Sequence, residues 1–120
     1  MKHKITIVDD DKSIHEILQL VLTAEDYELD FHTDVTQLIP FKEPFPKVFL
    51  LDRQLGGSNG LDICRMLKAD PRTSLIPVIM FSASPDIASH AQEAGADAWL
   101  EKPFTIPALK DLIRYHIKTE

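Results

Sequence analysis

Four short apolar runs in this chain each end in polar residues of the kind that bind phosphate or metal. Uninterrupted apolar runs of this length are typical of strands buried on both faces, as in a parallel sheet covered by helices. The runs are 5–8 before Asp9 and Asp10, 48–51 before Asp52, 78–81 before Ser82, and 98–100 before Glu101 and Lys102. Ligands of such sheets bind at the carboxyl ends of the strands. The pattern therefore predicts one crevice that contains carboxylates, a hydroxyl and an ammonium group.

The chain length and charge limit the class of protein. The 120 residues predict one domain, 1–120, which is large enough for a buried core. The formal charge of −6, from 13 basic and 19 acidic residues, argues against direct nucleic-acid binding. The apolar stretches are too short to span a bilayer, and no signal peptide precedes the first strand, so we expect no membrane association. Cys64 is the only cysteine, which favours a reducing cytoplasm.

Helix patterns alternate with the predicted strands. We expect a first helix over 13–25, with Ser13 and Glu16 as a capping box. A strand should follow over 27–33. Residues 34–45 should form a second helix that is short or irregular, because Pro40 and Pro44 interrupt it and Pro46 follows it. A loop is expected at 56–60.

The second half of the chain repeats this alternation. A helix is expected from Leu61 to Ala69, and another should begin with Ser84 as N-cap and end at Gly95. Thr105 should cap the final helix. Five βα units with right-handed crossovers predict an α/β fold, a doubly wound parallel sheet of five strands with helices on both faces.

Asp9, Asp10 and Asp52 are the predicted metal ligands. Three carboxylates brought together repel one another unless a cation lies among them. Oxygen ligands select a hard ion, and Mg²⁺ is favoured because it keeps open positions for a phosphate oxygen. Taken alone, the acidic triplet 9–11 could equally be a polar helix start. Its coincidence with Asp52 and Lys102 at equivalent strand ends favours the metal site.

Asp52 is the best candidate nucleophile in this crevice. A carboxylate can accept a phosphoryl group when a metal and cationic donors spread the transferring charge. Lys102 would supply a fixed positive charge, and Ser82 a hydroxyl donor. In isolation, Lys102 could be a solvated lysine and Ser82 a turn residue, so the prediction depends on the four strand ends together.

The chain resembles, along its whole length, the receiver domain of a two-component response regulator, and in particular the single-domain chemotaxis type. The matching motifs are residues 7–10 (Ile-Val-Asp-Asp), 50–52 (Leu-Leu-Asp) with Gly60, 81–83 (Phe-Ser-Ala), 95–97 (Gly-Ala-Asp) and 102–104 (Lys-Pro-Phe). The resemblance implies a flavodoxin-like strand order, 2-1-3-4-5.

The resemblance also implies roles for the site residues. Asp52 would accept the phosphoryl group from a phosphohistidine on a sensor histidine kinase or a histidine phosphotransfer protein. Asp10, Asp52 and the backbone carbonyl of Gln54 would bind Mg²⁺, and Asp9 would act through metal-bound water. Lys102 and Ser82 would contact the phosphoryl oxygens. The domain would catalyse its own phosphorylation and dephosphorylation without being a metabolic enzyme.

Phosphorylation in this family is read out on a surface. Ser82 and Trp99 would be the switch residues, since the hydroxyl moves toward the phosphate and the aromatic residue turns inward. The readout surface would consist of the helix after Ser82, the last strand and the last helix, through which a homodimer could also form. The downstream partner cannot be identified from the sequence.

Two other functions are compatible with the sequence. A degenerate receiver would act only as a protein docking module, although the complete set of site residues argues against it. A flavin carrier or hydrolase could use the same fold. However, the first loop is acidic where a flavin phosphate would need amide and hydroxyl donors. Gln54 also stands where haloacid-type hydrolases carry a second aspartate.

Overall fold

The computed structural model describes residues 3–23, 26–36, 38–55 and 57–118 of the chain. The strands are β1 His3–Val8, β2 Tyr27–His32, β3 Val48–Asp52, β4 Gln54–Leu55, β5 Ser58–Asn59, β6 Val78–Ser82 and β7 Ala98–Glu101. The helices are α1 Lys12–Leu22, α2 Gly60–Ala69, α3 Ile87–Ala94 and α4 Ile106–Lys118. None of these described helices is long and apolar enough to cross a membrane.

The five longer strands form one parallel sheet in the order β2-β1-β3-β6-β7. When only the five strands of this sheet are numbered along the chain, the order is 2-1-3-4-5, as predicted. The flavodoxin-like prediction is therefore confirmed. Val8 pairs with Leu51, Asp52 with Phe81, and Ser82 with Glu101. The polar residues that end these strands therefore meet at one edge of the sheet.

The sheet is covered on both faces because successive residues of its central strands alternate between two cores. Leu51 and Met80 pack with residues of α2 and α3. Leu50 and Ile79 pack with residues of α1 and α4. Every residue of β3 and β6 is buried. This explains why the sequence reads as uninterrupted apolar runs rather than as alternating ones.

The predicted second helix is absent from the described part of 34–45, which excludes residue 37. The chain there forms turns and bends. Instead of a helical face, the buried Phe41 and the half-buried Phe45 pack against the sheet. The prolines explain the outcome, since each removes a backbone donor and restricts the preceding residue.

Two helix starts also differ from the prediction. The N-cap of α1 is Asp11, whose side chain accepts the backbone N–H of Ser13 at 2.9 Å. Asp11 therefore takes the role expected of Ser13. The N-cap residue of α3 is Asp86 rather than Ser84. At α1 the Asp11 carboxylate competes successfully with the serine hydroxyl, whereas the Asp86 side chain makes no capping hydrogen bond to α3.

Two other predicted helix ends are confirmed, the end of α3 and the start of α4. Gly95 ends α3 in the left-handed conformation, with φ of 88°. The Thr105 hydroxyl accepts the N–H of Ala108 at 3.2 Å at the start of α4. The loop predicted at 56–60 is in part an antiparallel hairpin of β4 and β5, and residue 56 itself lies outside the described residues.

Candidate functional site: an acidic cleft bridged by a lysine

The carboxyl ends of β1, β3 and β6 border an open cleft. It is lined by Asp10, Asp11, Asp52, Gln54, Ser82, Ala83, Ser84 and Lys102. Five residues predicted for the site are thus found in one place. Asp9 is adjacent but fully buried, and it reaches the cleft through its contact with Lys102.

Lys102 bridges two of the carboxylates. Its Nζ lies 3.0 Å from Asp9 Oδ2 and 3.0 Å from Asp52 Oδ2. Burial lowers the pKa of Lys102, but the bonds to the two carboxylates outweigh this effect and leave the pKa above its usual value. The side chain is therefore held as a cation, and β1, β3 and the end of β7 are linked by one ammonium group.

Asp9 is a buried carboxylate with two hydrogen-bond donors. Its Oδ1 accepts the N–H of Asp11 at 2.9 Å, and its Oδ2 accepts from Lys102. Burial raises the pKa of Asp9, and the nearby charge of Asp52 adds to the rise, while the two hydrogen bonds oppose it. A further cation in the cleft would lower the pKa of Asp9 again, because it would favour the charged form of the carboxylate.

Asp52 ends β3 with its side chain 11% exposed. Its Oδ1 accepts the N–H of Gln54 at 3.1 Å, and its Oδ2 accepts from Lys102. Gly60 packs against the main chain at this point, and its N–H donates to the carbonyl of Arg53 at 2.7 Å. Asp52 is therefore fixed from both sides of the strand end while its carboxylate faces the cleft.

The donor set suits a hard divalent cation. One carboxylate oxygen from each of Asp9, Asp10 and Asp52 can be chosen so that all three lie within 4.8 Å of one another. Asp10 is exposed and Asp9 is buried, so the group opens toward solvent on one side. Oxygen ligands that leave part of the coordination shell to water match the preference of Mg²⁺.

Ser82 ends β6 and lines the same cleft as the acidic residues. The residue is 4% exposed, and its Oγ accepts the backbone N–H of Ser84 at 3.0 Å. Its carbonyl accepts the backbone N–H of Lys102 at 2.7 Å, and the peptide bond between Lys102 and Pro103 is cis. The hydroxyl and the ammonium group are thus held by adjacent strand ends.

Trp99 is outside the cleft lining. It lies on β7, is paired in register with Met80, and is half-buried against the core between the sheet and α2 and α3. The structure therefore brings together all predicted phosphoryl and metal residues, whereas the predicted aromatic switch, Trp99, is not among the residues that line the cleft.

Two contacts near the cleft were not predicted, although Gly60 itself belongs to one of the matching motifs. Arg53, directly after Asp52, forms an ion pair with Asp86 at 2.9 Å. Gly60 comes so close to Asp52 that an added Cβ would lie 2.0 Å from the Asp52 carbonyl oxygen. The position of Gly60, eight residues after Asp52, was visible in the sequence, whereas no local signal connects Arg53 with Asp86.

A parallel doubly wound sheet with a lysine-bridged acidic cleft at its strand ends defines a class of phosphoryl-handling α/β proteins. Within that class the chain belongs to the response regulator receiver family, whose domain model matches residues 5–114. The resemblance stated from the sequence is confirmed.

Among curated relatives, the DNA-binding response regulator MtrA of Mycobacterium tuberculosis is 37% identical over 121 residues, which cover 98% of this chain and 52% of MtrA. The phosphate regulon regulatory protein PhoB of Rhizobium meliloti is 33% identical and covers 91% of this chain and 49% of PhoB. The chain thus spans about half the length of these relatives.

A solved structure with the same fold is the BeF3-activated receiver domain of DrrB, a Thermotoga maritima protein. It is 28% identical, has a TM-score of 0.85, and the match covers 98% of this chain and 99% of that domain. The chain is a response regulator receiver domain and not a metabolic enzyme.

Proposed function

We propose that Asp52 accepts a phosphoryl group from a phosphohistidine. The observation that carries the proposal is the position of Lys102 Nζ, 3.0 Å from Asp52 Oδ2 and 3.0 Å from Asp9 Oδ2. An ammonium group at this position neutralises negative charge beside the attacking carboxylate. It would also remain beside the phosphoryl oxygens after transfer.

In this reaction a carboxylate oxygen of Asp52 forms a bond to phosphorus as the bond from phosphorus to the donor histidine nitrogen breaks. The imidazole ring takes up one proton from solvent, so that the histidine leaves as neutral imidazole. Lys102 and the Ser82 hydroxyl would each bind an oxygen of the transferred group. The N–H of Gln54 orients Asp52 beforehand, since it donates to Oδ1. These groups act by positioning and by charge stabilisation, as phosphoryl transfer requires.

Mg²⁺ is the proposed cofactor, and the residues present fit it. Asp10, Asp52 and the backbone carbonyl of Gln54 would hold the ion, with Asp9 acting through water. When bound, Mg²⁺ would offset the charge of the three carboxylates and of the phosphoryl oxygens. The same set of residues would support hydrolysis of the acyl phosphate by water, which returns the domain to its resting state.

We further propose that phosphorylation is read out on the output face, defined here as α3, β7 and α4. Ser82 is linked to α3 through the turn at 83–86, and Trp99 on β7 packs against the core beneath α3. A displacement of Ser82 toward a phosphoryl group would therefore change packing under this face. Its occupant would be a second copy of the chain or another protein.

The proposed phosphoryl donor is a sensor histidine kinase or a histidine phosphotransfer protein in the cytoplasm. MtrA is named a DNA-binding response regulator, and this chain matches about half of it. With a formal charge of −6, this domain would not itself bind DNA, which is a polyanion. Any DNA contact would then come from other parts of a longer protein.

The test is phosphorylation in vitro with Mg²⁺ and acetyl phosphate, followed by intact-protein mass spectrometry. Wild type should gain one phosphoryl group, and Asp52→Asn should gain none. Asp62→Asn, which removes an exposed carboxylate from α2, is the matched control and should behave as wild type. If wild type gains no phosphoryl group under these conditions, the chain is better described as a docking module.

A further inference from the structure

Arg53 connects the strand that carries Asp52 to the start of α3. Its guanidinium Nη1 donates to Asp86 Oδ1 at 2.9 Å, across 33 residues of sequence. The Arg53 side chain is 21% exposed. Its main chain is fixed as well, since its N–H donates to the carbonyl of Phe81 and its carbonyl accepts from Gly60. The guanidinium therefore extends from a rigid point next to the acceptor.

Asp86 is an N-cap residue that does not cap its helix with its side chain. Its carboxylate instead accepts from Arg53, from the hydroxyl of Ser84 and from Nε2 of His90. The Ser84 hydroxyl, with help from Arg53, holds the pKa of Asp86 at about 2. The carboxylate is thus ionised near neutral pH, and two of these three interactions, with Arg53 and Ser84, link it to the acceptor strand and the preceding turn.

Ser84 continues the connection into the cleft. Its hydroxyl donates to the same Asp86 oxygen that Arg53 binds, and its N–H donates to Ser82 Oγ at 3.0 Å. Both Ser82 and Ser84 line the cleft. An unbroken series of contacts therefore leads from the residue after Asp52, through Asp86 and Ser84, to the hydroxyl of Ser82 in the cleft that Asp52 also lines.

We propose that Arg53 and Asp86 form a clasp that positions Ser82 and Ser84 for binding of the phosphoryl group. This inference rests on the proposed function of Asp52. The hydrogen bond from Ser84 occupies one lone pair of Ser82 Oγ and so restricts the direction in which its hydroxyl can donate. Without the clasp, the turn at 83–86 would have to become ordered when the phosphoryl group binds, and that ordering would weaken binding.

The expected effect is modest because Asp86 is half-exposed, with 51% of its side chain accessible. Exposed ion pairs contribute little and are screened by salt. We therefore expect loss of the clasp to weaken binding of a phosphoryl analogue about two- to fivefold at low salt. At high salt, the affinities of the variants and of wild type for the analogue should differ less than at low salt.

The competing explanation is that Arg53 and Asp86 affect binding only through their net charge. The direction in which each of two variants changes the affinity for an anionic analogue separates this explanation from the clasp. Arg53→Met removes a cation and Asp86→Ala removes an anion near the same cleft. If only charge matters, the first variant weakens binding of an anionic analogue and the second strengthens it. If the clasp positions the cleft, both variants weaken it. The double variant Arg53→Asp with Asp86→Arg should then recover part of the wild-type affinity.

The experiment is isothermal titration calorimetry of the full chain with beryllofluoride at saturating Mg²⁺. Arg65→Met is the matched control, because Arg65 pairs with Asp62 one turn away on α2 and its loss changes the charge equally. Thermal unfolding of each variant confirms that it is folded. Weaker binding in both single variants, with recovery in the double variant, supports the clasp.

The clasp is overturned, and the proposed function is left intact, if the two single variants change the beryllofluoride affinity in opposite directions. The same holds if their affinities equal that of Arg65→Met. A wild-type protein that binds no beryllofluoride overturns the proposed function, and the clasp with it. Equal losses that persist undiminished at high salt would also contradict an ion-pair clasp.

Discussion

Gly60 lies directly against the main chain of Asp52: a Cβ atom added to Gly60 would be 2.0 Å from the Asp52 carbonyl oxygen and 2.9 Å from its carbonyl carbon. Backbone atoms cannot move aside as the end of a side chain can. The glycine at the first position of α2 is therefore required by close approach, and it ties the start of the helix to the end of the strand that carries Asp52.

We accordingly expect Gly60→Ala to displace the end of β3. Forcing an extra methyl group into a packed site typically costs about 1–3 kcal/mol, and the displacement should also reduce phosphorylation of Asp52. Gly57→Ala is the control, since a Cβ there meets nothing within 4 Å. Urea unfolding and acetyl phosphate labelling would measure both effects. Equal behaviour of the two variants would contradict the close-contact explanation.

Replacement of Lys102 should affect a metal ion and a phosphoryl analogue in opposite directions. In Lys102→Met, Asp9 and Asp52 lose the cation that lies 3.0 Å from each. The site becomes more negative, so Mg²⁺ should bind more tightly, by about tenfold for an interaction of 1–2 kcal/mol. Beryllofluoride should bind at least about tenfold more weakly because a charge-assisted donor is lost.

Two titrations by calorimetry measure this: Mg²⁺ alone, and beryllofluoride at saturating Mg²⁺. Lys102→Arg is the informative second variant, because it keeps the charge but changes the shape of the donor. It should leave Mg²⁺ binding near the wild-type value. If Lys102→Met binds both ligands less tightly, a general distortion of the cleft is the better explanation.

The strand ends were predictable because burial leaves a strong local signal. Strands covered on both faces, such as β3 and β6, must be apolar throughout, and the first polar residue after each run marks the edge of the sheet. Asp52 and Ser82 were located in this way. The strand order came from family resemblance, since right-handed crossovers limit the topologies but do not select one.

The parts that the sequence did not predict depend on competition or on long-range contacts. Asp11 and Ser13 can both cap α1, and local pattern does not decide between them. The apolar residues of 34–45 suit a helical face, yet the prolines there prevent one and Phe41 packs without it. The pairing of Arg53 with Asp86 spans 33 positions, so no periodicity or motif could indicate it.

Lys68 should be important for stability and unimportant for phosphorylation. Its Nζ lies 2.6 Å from Asp97 Oδ2 and donates to the carbonyls of Ile76 at 2.8 Å and Ser74 at 3.2 Å. The side chain is 18% exposed. Removing a charged donor from partly buried acceptors typically costs about 1–3 kcal/mol.

We therefore expect Lys68→Met to lower the free energy of unfolding by about that amount while Asp52 is still phosphorylated at the wild-type rate. The exposed Lys47 provides the control, and Lys47→Met should change stability by less than about 0.5 kcal/mol. Urea unfolding together with acetyl phosphate labelling tests both parts. A slowed labelling reaction in Lys68→Met would show that this contact influences the cleft.

The stability of the fold should depend on pH through His116 on α4. Burial lowers the pKa of His116 below its usual 6.5, the charge of Lys68 acts in the same direction, and Asp97 opposes it. The folded state therefore releases a proton that the unfolded chain keeps. The resulting contribution to stability is fully present above the unfolded pKa and is lost as the pH falls through the lowered folded value.

Between about pH 7.5 and 5.5, the free energy of unfolding should thus fall more steeply for wild type than for His116→Gln. Urea unfolding curves at a series of pH values measure both slopes. The difference between the proteins at the alkaline end reports packing alone, because the imidazole is neutral there in both states, and it serves as the internal reference. Parallel stability curves across this range would mean that burial of His116 does not couple its protonation to folding.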